Sequence, residues 1–458
     1  MFDEFTNFVR DLYGTEGLIP LHEPTFSEKE KKFLVDVINS TFVSSIGKSV
    51  SEFEKKVASY MGIKHAVAVV NGTAALHLAL KVSDVEENSE VITQSLSFVA
   101  TCNAIRYCNA YPAFIDIDKE NLTVSPETVK TFLNKFAEIR KDGHCWNKKS
   151  NRKISALLLV NTYGFPTDTL KIKKICSKFK IPVIEDCAES LGSFIRNNHC
   201  GINADISTLS FNGNKIITTG GGGMILTNNS KIAKQAKHLS TTARISHKWK
   251  FAHDQIGYNY RMPNLNAALG LAQFHSLQKF IKSKRLIAEK YQKWGERFGL
   301  NFVKEDNLSK ANYWLNCLIL KNKREKESFI KFTHENDNLF LGLNMSSFET
   351  LKDSYNDKYE YILPEVFLDK NLVSSEKYGN IDLTSNFKVH NYDTNKFTKF
   401  LVNDIDWKFR DKNFASGING KFISKLKNIN YEAKNVTSLK SEGTSELFGA
   451  LGYIFDVD

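Results

Sequence analysis

Residues 207–229 read S-T-L-S-F-N-G-N-K-I-I-T-T-G-G-G-G-M-I-L-T-N-N, and this stretch decides the fold class. Two apolar, β-branched segments flank the four glycines, and a single lysine, Lys215, stands between polar residues and the second segment. A buried lysine must be paired, shifted in its pKa or covalently modified, whereas a surface lysine needs no explanation. We therefore predict that Lys215 carries a cofactor aldehyde as a Schiff base.

The four glycines, 220–223, allow the chain to turn tightly beside a ligand. They do not form a dinucleotide-binding fingerprint, because the pattern runs strand, glycines, strand, with no helix after them. The sequence also has no complete Gly-x-x-x-x-Gly-Lys-Ser/Thr phosphate-binding loop, since Gly47-Lys48-Ser49 lacks the first glycine of that motif.

Short apolar strands alternate with helical segments on the N-terminal side of this stretch. The predicted strands cover residues 64–70, 91–93, 113–117, 155–160 and 182–185. This alternation predicts an α/β fold with a mostly parallel sheet covered by helices on both faces. In such sheets, the chemistry gathers at the carboxyl ends of the strands.

Two of these strand ends carry residues that suit a phosphorylated pyridine cofactor. The turn Asn71–Ala75 presents backbone N–H groups and the Thr73 hydroxyl at a helix N-terminus, which is an anion site, although Thr73 could equally be a plain N-cap. Asp186 ends a buried strand and could hold a protonated ring nitrogen, which makes the ring an electron sink. Its alternative role is that of a helix N-cap.

The composition limits the classes of protein to which the chain can belong. The 458 residues suffice for two or three domains, and the net charge of +11 is spread among acidic neighbours, so we expect a solvated surface and no nucleic-acid partner. No apolar run reaches membrane-spanning length and the N-terminus lacks a signal-peptide core, so we expect a cytoplasmic protein without a membrane contact. The seven cysteines include no Cys-x-x-Cys pair, so we expect no metal site and no disulfide framework.

Taken in order, a phosphate site, a ring-nitrogen carboxylate and a lysine describe a pyridoxal-phosphate (PLP) enzyme of the aspartate-aminotransferase fold type, fold type I. The chain resembles the DegT/StrS sugar-nucleotide aminotransferases, and within them the LegC-type enzymes, continuously from about residue 15 to 335. The resemblance rests on the following segments: L-H-E-P at 21–24, F-V-S-S-I-G-K at 42–48, V-N-G-T-A-A-L-H-L-A-L at 70–80, S-F-V-A-T at 97–101, E-D-C-A-E-S-L-G-S at 185–193, F-N-G-N-K-I-I-T-T-G-G-G-G-M-I at 211–225 and H-D-Q-I-G-Y-N-Y-R-M-P-N at 253–264.

The resemblance implies roles for individual residues. Lys215 would hold the cofactor and later move a proton, and Asp186 would partner the pyridinium nitrogen. The remaining cofactor-binding residues implied are Gly72, Thr73, Ala74 and Ser210 at the phosphate, Phe98 stacked on the ring, Glu189 near the ring hydroxyl, and Asn259 reaching the phosphate in a neighbouring subunit. Asn259 therefore implies a homodimer with shared active sites.

The reaction implied is amino transfer from glutamate to C4 of a UDP-linked 4-keto-6-deoxy sugar, for glycans of the legionaminic-acid or bacillosamine type. A PLP sugar dehydratase is an alternative within the same fold, but that branch replaces the lysine by His. The other alternative is a PLP-binding scaffold or regulator with impaired catalysis.

The C-terminal third departs from the family pattern. We predict a large PLP-binding domain over residues 1–265, the start of a smaller α/β domain over 266–338, and an atypical region over 339–458 that either replaces the rest of that domain or is appended to it. Within these parts the patterns predict a strand at 313–320, helices at 325–336 and 444–453, and a turn at 417–420.

Overall fold

The computed structural model describes residues 2–245, 247, 249–319, 328–336, 338–349, 359–375, 377–392, 396–409, 412–414, 418–434 and 444–457. The chain divides into two compact units, Met1–Leu320 and Lys321–Asp458. This division does not coincide with the sequence-based boundaries at residues 265 and 338.

The first unit contains ten described helices, which are α1 (Phe2–Tyr13), α2 (Glu28–Asn39), α3 (Lys48–Met61), α4 (Gly72–Lys81), α5 (Val99–Tyr107), α6 (Pro126–Phe136), α7 (Thr169–Ser177), α8 (Ser230–Ser240), α9 (Asn264–Phe274) and α10 (Leu277–Arg297), and a 3-10 turn at Thr162–Gly164. Its strands are β1 (His65–Val69), β2 (Glu90–Gln94), β3 (Tyr111–Ile115), β4 (Ala137–Ile139), β5 (Cys145–Asn147), β6 (Ile154–Val160), β7 (Val183–Asp186), β8 (Phe194–Ile195), β9 (Asn198–His199), β10 (Ile206–Ser210), β11 (Gly223–Thr227), β12 (Arg244–Ile245), β13 (Ala252–His253), β14 (Asn301–Phe302), β15 (Ser309–Lys310) and β16 (Leu318–Ile319).

Seven of these strands form the central sheet, in the order β1-β11-β10-β7-β6-β2-β3. Neighbouring strands are parallel except where β11 pairs with β1 and β10, so only β11 runs against the others. The α/β prediction with a mainly parallel sheet is therefore confirmed. All five predicted strands exist, within a few residues of the predicted bounds.

Helices cover both faces of the central sheet because its strands are apolar on both sides. Along β6, Ala156 and Leu158 pack with α4 and α5, whereas Leu157 and Leu159 pack with α6 and α7. A further cluster joins β11 to α3, α9 and α10. The β6 side chains from Ala156 to Leu159 are fully buried. Burying one leucine side chain contributes about 1.5–3 kcal/mol to the free energy of folding.

The sheet register brings the functional strand ends together. Gly223, at the start of β11, pairs with Val69 on one side and with Ser210 on the other. On β10, Thr208 pairs with Asp186 of β7. The turn after β1, the end of β10 and the end of β7 therefore lie at one edge of the sheet, as the prediction from parallel strands requires.

The second unit consists, in its described part, of antiparallel strands. They are β17 (Ser328–Asn336), β18 (Leu339–Glu349), β19 (Tyr359–Ser375), β20 (Gly379–Tyr392), β21 (Lys396–Lys408), β22 (Lys412–Phe414), β23 (Ile418–Lys434) and β24 (Thr444–Val457). They form one sheet in the order β17-β18-β19-β20-β21-β23-β22, with β24 also paired to β23.

Three local predictions in the second unit were wrong, and a fourth, at the end of the first unit, holds only in part. Residues 328–336 and 444–453 are strands and not helices, and residues 325–327 lie outside the described residues. Residues 418–420 belong to β23 and not to a turn, while residue 417 is not described. The predicted strand 313–320 shrinks to Leu318–Ile319 among its described residues, since Tyr313 has a φ of 50° that ends extended structure. Cross-strand pairing overrode local propensity in the second unit.

Candidate active site

Lys215 lies in the loop between β10 and β11, with its side chain enclosed by two neighbours. Its Nζ donates to Oε1 of Glu189 at 3.4 Å and stands 4.1 Å from the centre of the Trp314 ring. Only 13% of the lysine side chain is exposed. The ammonium thus has an acidic partner and an aromatic face, the second of which attracts a cation through its ring quadrupole.

Glu189 is itself held in place by backbone and side-chain hydrogen bonds. Its Oε2 accepts from the backbone N–H of Tyr163 at 2.7 Å, and its carbonyl accepts from Nδ2 of Asn312 at 2.8 Å. Because the carboxylate is anchored independently of Lys215, it can orient the ammonium. The residue predicted to lie near a ring hydroxyl therefore contacts the proposed reactive lysine directly.

Asp186 is buried at the end of β7. Its Oδ1 accepts from the backbone N–H of Ala188 at 3.0 Å, and the Thr101 hydroxyl donates to Oδ2 at 3.5 Å. Burial raises the pKa of the carboxyl to about 6, against the lowering effects of the Ala188 N–H and the Lys215 charge. No helix begins after Asp186, because residues 187–193 form turns, so its alternative role as a helix N-cap is excluded.

The turn after β1 leaves two backbone donors available. Asn71, and not Thr73, is the N-cap of α4, and its side chain accepts from the N–H of Ala74 at 2.7 Å. Within the described residues the N–H groups of Gly72 and Thr73 have no acceptor. Ala74, predicted as a further cofactor contact, has its N–H occupied by Asn71.

Ser210 closes the other side of this turn. A Cβ added to Gly72 would lie 2.8 Å from Cβ of Ser210, so only glycine permits this approach. Gly223 has a similar function, since an added Cβ would lie 2.3 Å from the Asn71 carbonyl oxygen. The Ser210 hydroxyl and the N–H groups of Gly72 and Thr73 therefore lie together at the start of α4, which is an arrangement suited to a phosphate.

Phe98 and Asn259 are both exposed on the single chain. Phe98 is the N-cap residue of α5 and its side chain is 72% exposed. Asn259 is exposed, bridges to Thr241 through the backbone and accepts from Nη2 of Arg261 at 3.5 Å. In the described part of the chain, neither side chain makes a hydrogen bond or ring contact with Lys215 or Asp186.

Three residues that contact this site were not singled out from the sequence. Trp314 faces Lys215, Thr101 faces Asp186, and His22 lines a cavity together with Lys215. Thr101 and His22 lie inside two of the segments that carry the family resemblance, 97–101 and 21–24, so the resemblance could have pointed to them. Trp314 is distant in sequence and had none.

The residues present fit PLP. A phosphate requires donors, and the start of α4 offers them; a ring nitrogen held protonated requires a buried carboxylate, and Asp186 has no cation within ion-pair distance among the described residues. An aldehyde requires a lysine nearby, and the charge of Lys215 acts on Asp186. Among the same residues, no cluster of His, Cys, Asp and Glu could hold a metal ion.

Comparison with known proteins agrees with this geometry. The DegT/DnrJ/EryC1/StrS aminotransferase family matches residues 24–352. The chain belongs to this family. The resemblance drawn from the sequence is thereby confirmed at the level of the family, and the protein is a PLP-dependent sugar aminotransferase.

Two curated relatives illustrate the similarity of this aminotransferase. It is 37% identical to GDP-perosamine synthase of Vibrio cholerae over 322 residues, which cover 70% of this chain and 83% of the relative. It is 35% identical to the putative pyridoxal phosphate-dependent aminotransferase EpsN of Bacillus subtilis, over 66% of this chain and 76% of EpsN.

Solved structures extend the comparison to the fold. The aminotransferase TlmJ of Streptoalloteichus hindustanus matches with a TM-score of 0.59 and 25% identity, over 65% of this chain and 78% of TlmJ. PseC of Helicobacter pylori matches with a TM-score of 0.60 and 24% identity, over 67% and 79% of the two chains, and supports the fold. In the described part of this aminotransferase, no helix is both long and apolar enough to cross a bilayer.

Proposed function

We propose that this aminotransferase moves an amino group from glutamate to C4 of a 4-keto-6-deoxy sugar that is linked to a nucleoside diphosphate. The observation that carries the proposal is the position of Lys215, whose ammonium contacts Glu189 and Trp314 while its charge acts on the buried Asp186. A lysine in this setting can bind a cofactor aldehyde and exchange a proton beside it.

Each residue of the site has a definable task in this proposal. When bound, PLP supplies a ring that accepts electrons from the carbon being deprotonated. Asp186 holds the charge on the ring nitrogen, and Gly72, Thr73 and Ser210 bind the phosphate. Glu189 orients the ammonium of Lys215, which holds and returns the proton that moves during amino transfer.

The nucleotide can be assigned in two ways. The LegC-type resemblance favours a UDP-linked sugar for glycans of the legionaminic-acid or bacillosamine type. The name of the Vibrio cholerae relative, GDP-perosamine synthase, favours a GDP-linked sugar instead. Assaying the full chain with glutamate against matched UDP-linked and GDP-linked 4-keto sugars separates the two, since the preferred nucleotide should give the higher kcat/KM.

We also propose a homodimer with shared active sites. Asn259 and Phe98 are exposed on the single chain, and so are Trp249, Phe251 and Ile256, each with at least 79% of its surface accessible. Large apolar side chains grouped in one short segment are typical of an interface. The cytoplasmic location expected from the sequence stays a prediction.

Reduction with borohydride tests the enzyme proposal. Protein incubated with PLP, reduced and digested should carry a pyridoxyl group on the peptide containing Lys215, and Lys215→Ala should carry none. If wild-type protein carries no pyridoxyl group on this peptide, the proposal is refuted. A scaffold would carry the label yet fail to convert PLP to its amine form with glutamate, and so this second measurement excludes the scaffold alternative.

A further inference from the structure

The segment Ile19–Phe26 runs without helix or strand along the loop that contains Lys215. Together with Lys215, Ile216 and residues of α10 it lines a cavity of about 550 Å³. Gln273 of α9 fastens the segment, because its Nε2 donates to the Thr25 carbonyl and to Oε1 of Glu30, both at 2.9 Å. The N-terminal segment is thus fixed beside the proposed reactive lysine.

His22 in this segment contacts Lys284 of α10 and lines the same cavity as Lys215. Nζ of Lys284 donates to Nδ1 of His22 at 3.1 Å, and because an ammonium only donates, Nδ1 must be the acceptor. Burial and the charges of Lys284 and Lys215 lower the pKa of His22 to about 4, so the ring is neutral at physiological pH and its proton stands on Nε2. The backbone of Lys215 acts in the opposite direction and raises the pKa of His22, but by less than burial lowers it.

Lys284 makes a second connection through Trp314. Its Nζ donates to the Trp314 carbonyl at 3.1 Å, and the Trp314 indole faces Nζ of Lys215 while its Nε1 donates to the carbonyl of Asn214 at 2.7 Å. Burial lowers the pKa of Lys284, and among the described residues no carboxylate forms an ion pair with it. Burying an ammonium with only neutral partners costs folding free energy. The described hydrogen-bond partners of Lys284 are His22 and the Trp314 carbonyl, and Trp314 in turn contacts the loop that contains Lys215.

We propose that His22 and Lys284 are positioning residues for Lys215, Lys284 by fixing Trp314 against the Lys215 ammonium and His22 by holding Lys284 in place. The inference rests on the proposed function, in which Lys215 captures the cofactor aldehyde. Misplacing a reacting group by about 1 Å can slow a reaction about a hundredfold. Loss of either connection should therefore slow capture without removing Lys215 itself.

The test measures the rate at which the cofactor-free full chain captures PLP, by following absorbance and then mapping the borohydride-reduced label. His22→Met and His22→Gln form a matched pair, because both side chains have similar length and only glutamine offers a strong acceptor to Lys284. Lys284→Met is compared with Lys290→Met, which removes an exposed lysine of the same helix. His144→Leu, at an exposed histidine, is the control for His22.

We expect His22→Met and Lys284→Met to slow capture by about tenfold to a hundredfold. His22→Gln should stay within about threefold of wild type, and both controls should equal it. Equal rates for His22→Met and wild type would overturn the inference, and so would a rate for His22→Gln as low as that for His22→Met, which would indicate packing alone. If Lys284→Met does not fold, the comparison of His22→Met with His22→Gln still tests the inference. Wild-type protein that captures no PLP would instead refute the proposed function.

Discussion

Replacing Asp186 by asparagine separates the cost of this buried carboxyl from its proposed use. Burial raises its pKa from the ordinary 3.8 to about 6, a difference that corresponds to about 3 kcal/mol. The folded chain therefore retains a proton that the unfolded chain releases, and the stability of the cofactor-free protein falls as the pH rises through this window. Asparagine has similar shape, can still accept from the Ala188 N–H and does not titrate.

Cofactor-free Asp186→Asn should thus be more stable than wild type, and its advantage should grow by about 1.5 kcal/mol from pH 5 to pH 8. With PLP bound, wild type should be the more stable protein, because the protonated ring nitrogen would pair with the buried carboxylate of Asp186. Recovering about 3 kcal/mol of pairing corresponds to about a hundredfold in affinity, so the variant should bind PLP about a hundredfold more weakly.

Urea unfolding at the two pH values measures the first quantity, and titration with PLP measures the second. Asp116→Asn, at an exposed aspartate, is the matched control and should change neither. If Asp186→Asn binds PLP as tightly as wild type, Asp186 does not partner the ring nitrogen. If its stability advantage does not depend on pH, the reasoning about burial is refuted.

Three further predictions concern the cradle, the interface and the core. Gly72→Ala should weaken PLP binding by at least about tenfold, because the new Cβ would lie 2.8 Å from Cβ of Ser210, whereas Gly213→Ala, with nothing within 4 Å, should bind normally in the same titration. Mixed Asn259→Ala and Lys215→Ala chains should recover part of the glutamate half-reaction if sites are shared, and no recovery after proven subunit exchange would count against a shared site. Leu158→Ala should lower the free energy of unfolding by about 2–5 kcal/mol in urea, against less than about 0.5 kcal/mol for Leu286→Ala on the exposed side of α10.

The sequence was sufficient for those elements whose local pattern and tertiary surroundings agree. Strands such as β6 are continuous apolar runs, and parallel strands must end at a common edge, so the neighbouring ends of β7 and β10 followed from the alternation of elements. Lys215 could be singled out because a lysine among apolar segments conflicts with burial.

What could not be predicted depends on contacts between distant residues. Nothing in the sequence near Trp314 indicates that its ring faces Lys215, and nothing near His22 indicates that it bonds to Lys284. A plain N-cap at Thr73 was left open as an alternative, but Asn71 caps α4 because its side chain accepts from the N–H of Ala74. In β17 and β24, apolar spacing was compatible with either helix or strand, and pairing with β18 and β23 decided.

The pairing of β1 with β11 has a consequence for protein synthesis. The turn that would bind the phosphate follows β1 early in the chain, but its partner Ser210 and the pairing strand β11 are made much later. Until Thr227 has emerged from the ribosome, β11 cannot pair along its full length with β1, and the central sheet stays incomplete. The cofactor therefore cannot assist the first folding steps, and a chain truncated before β11 should remain unable to bind it even if the strands β2, β3, β6 and β7 have already formed.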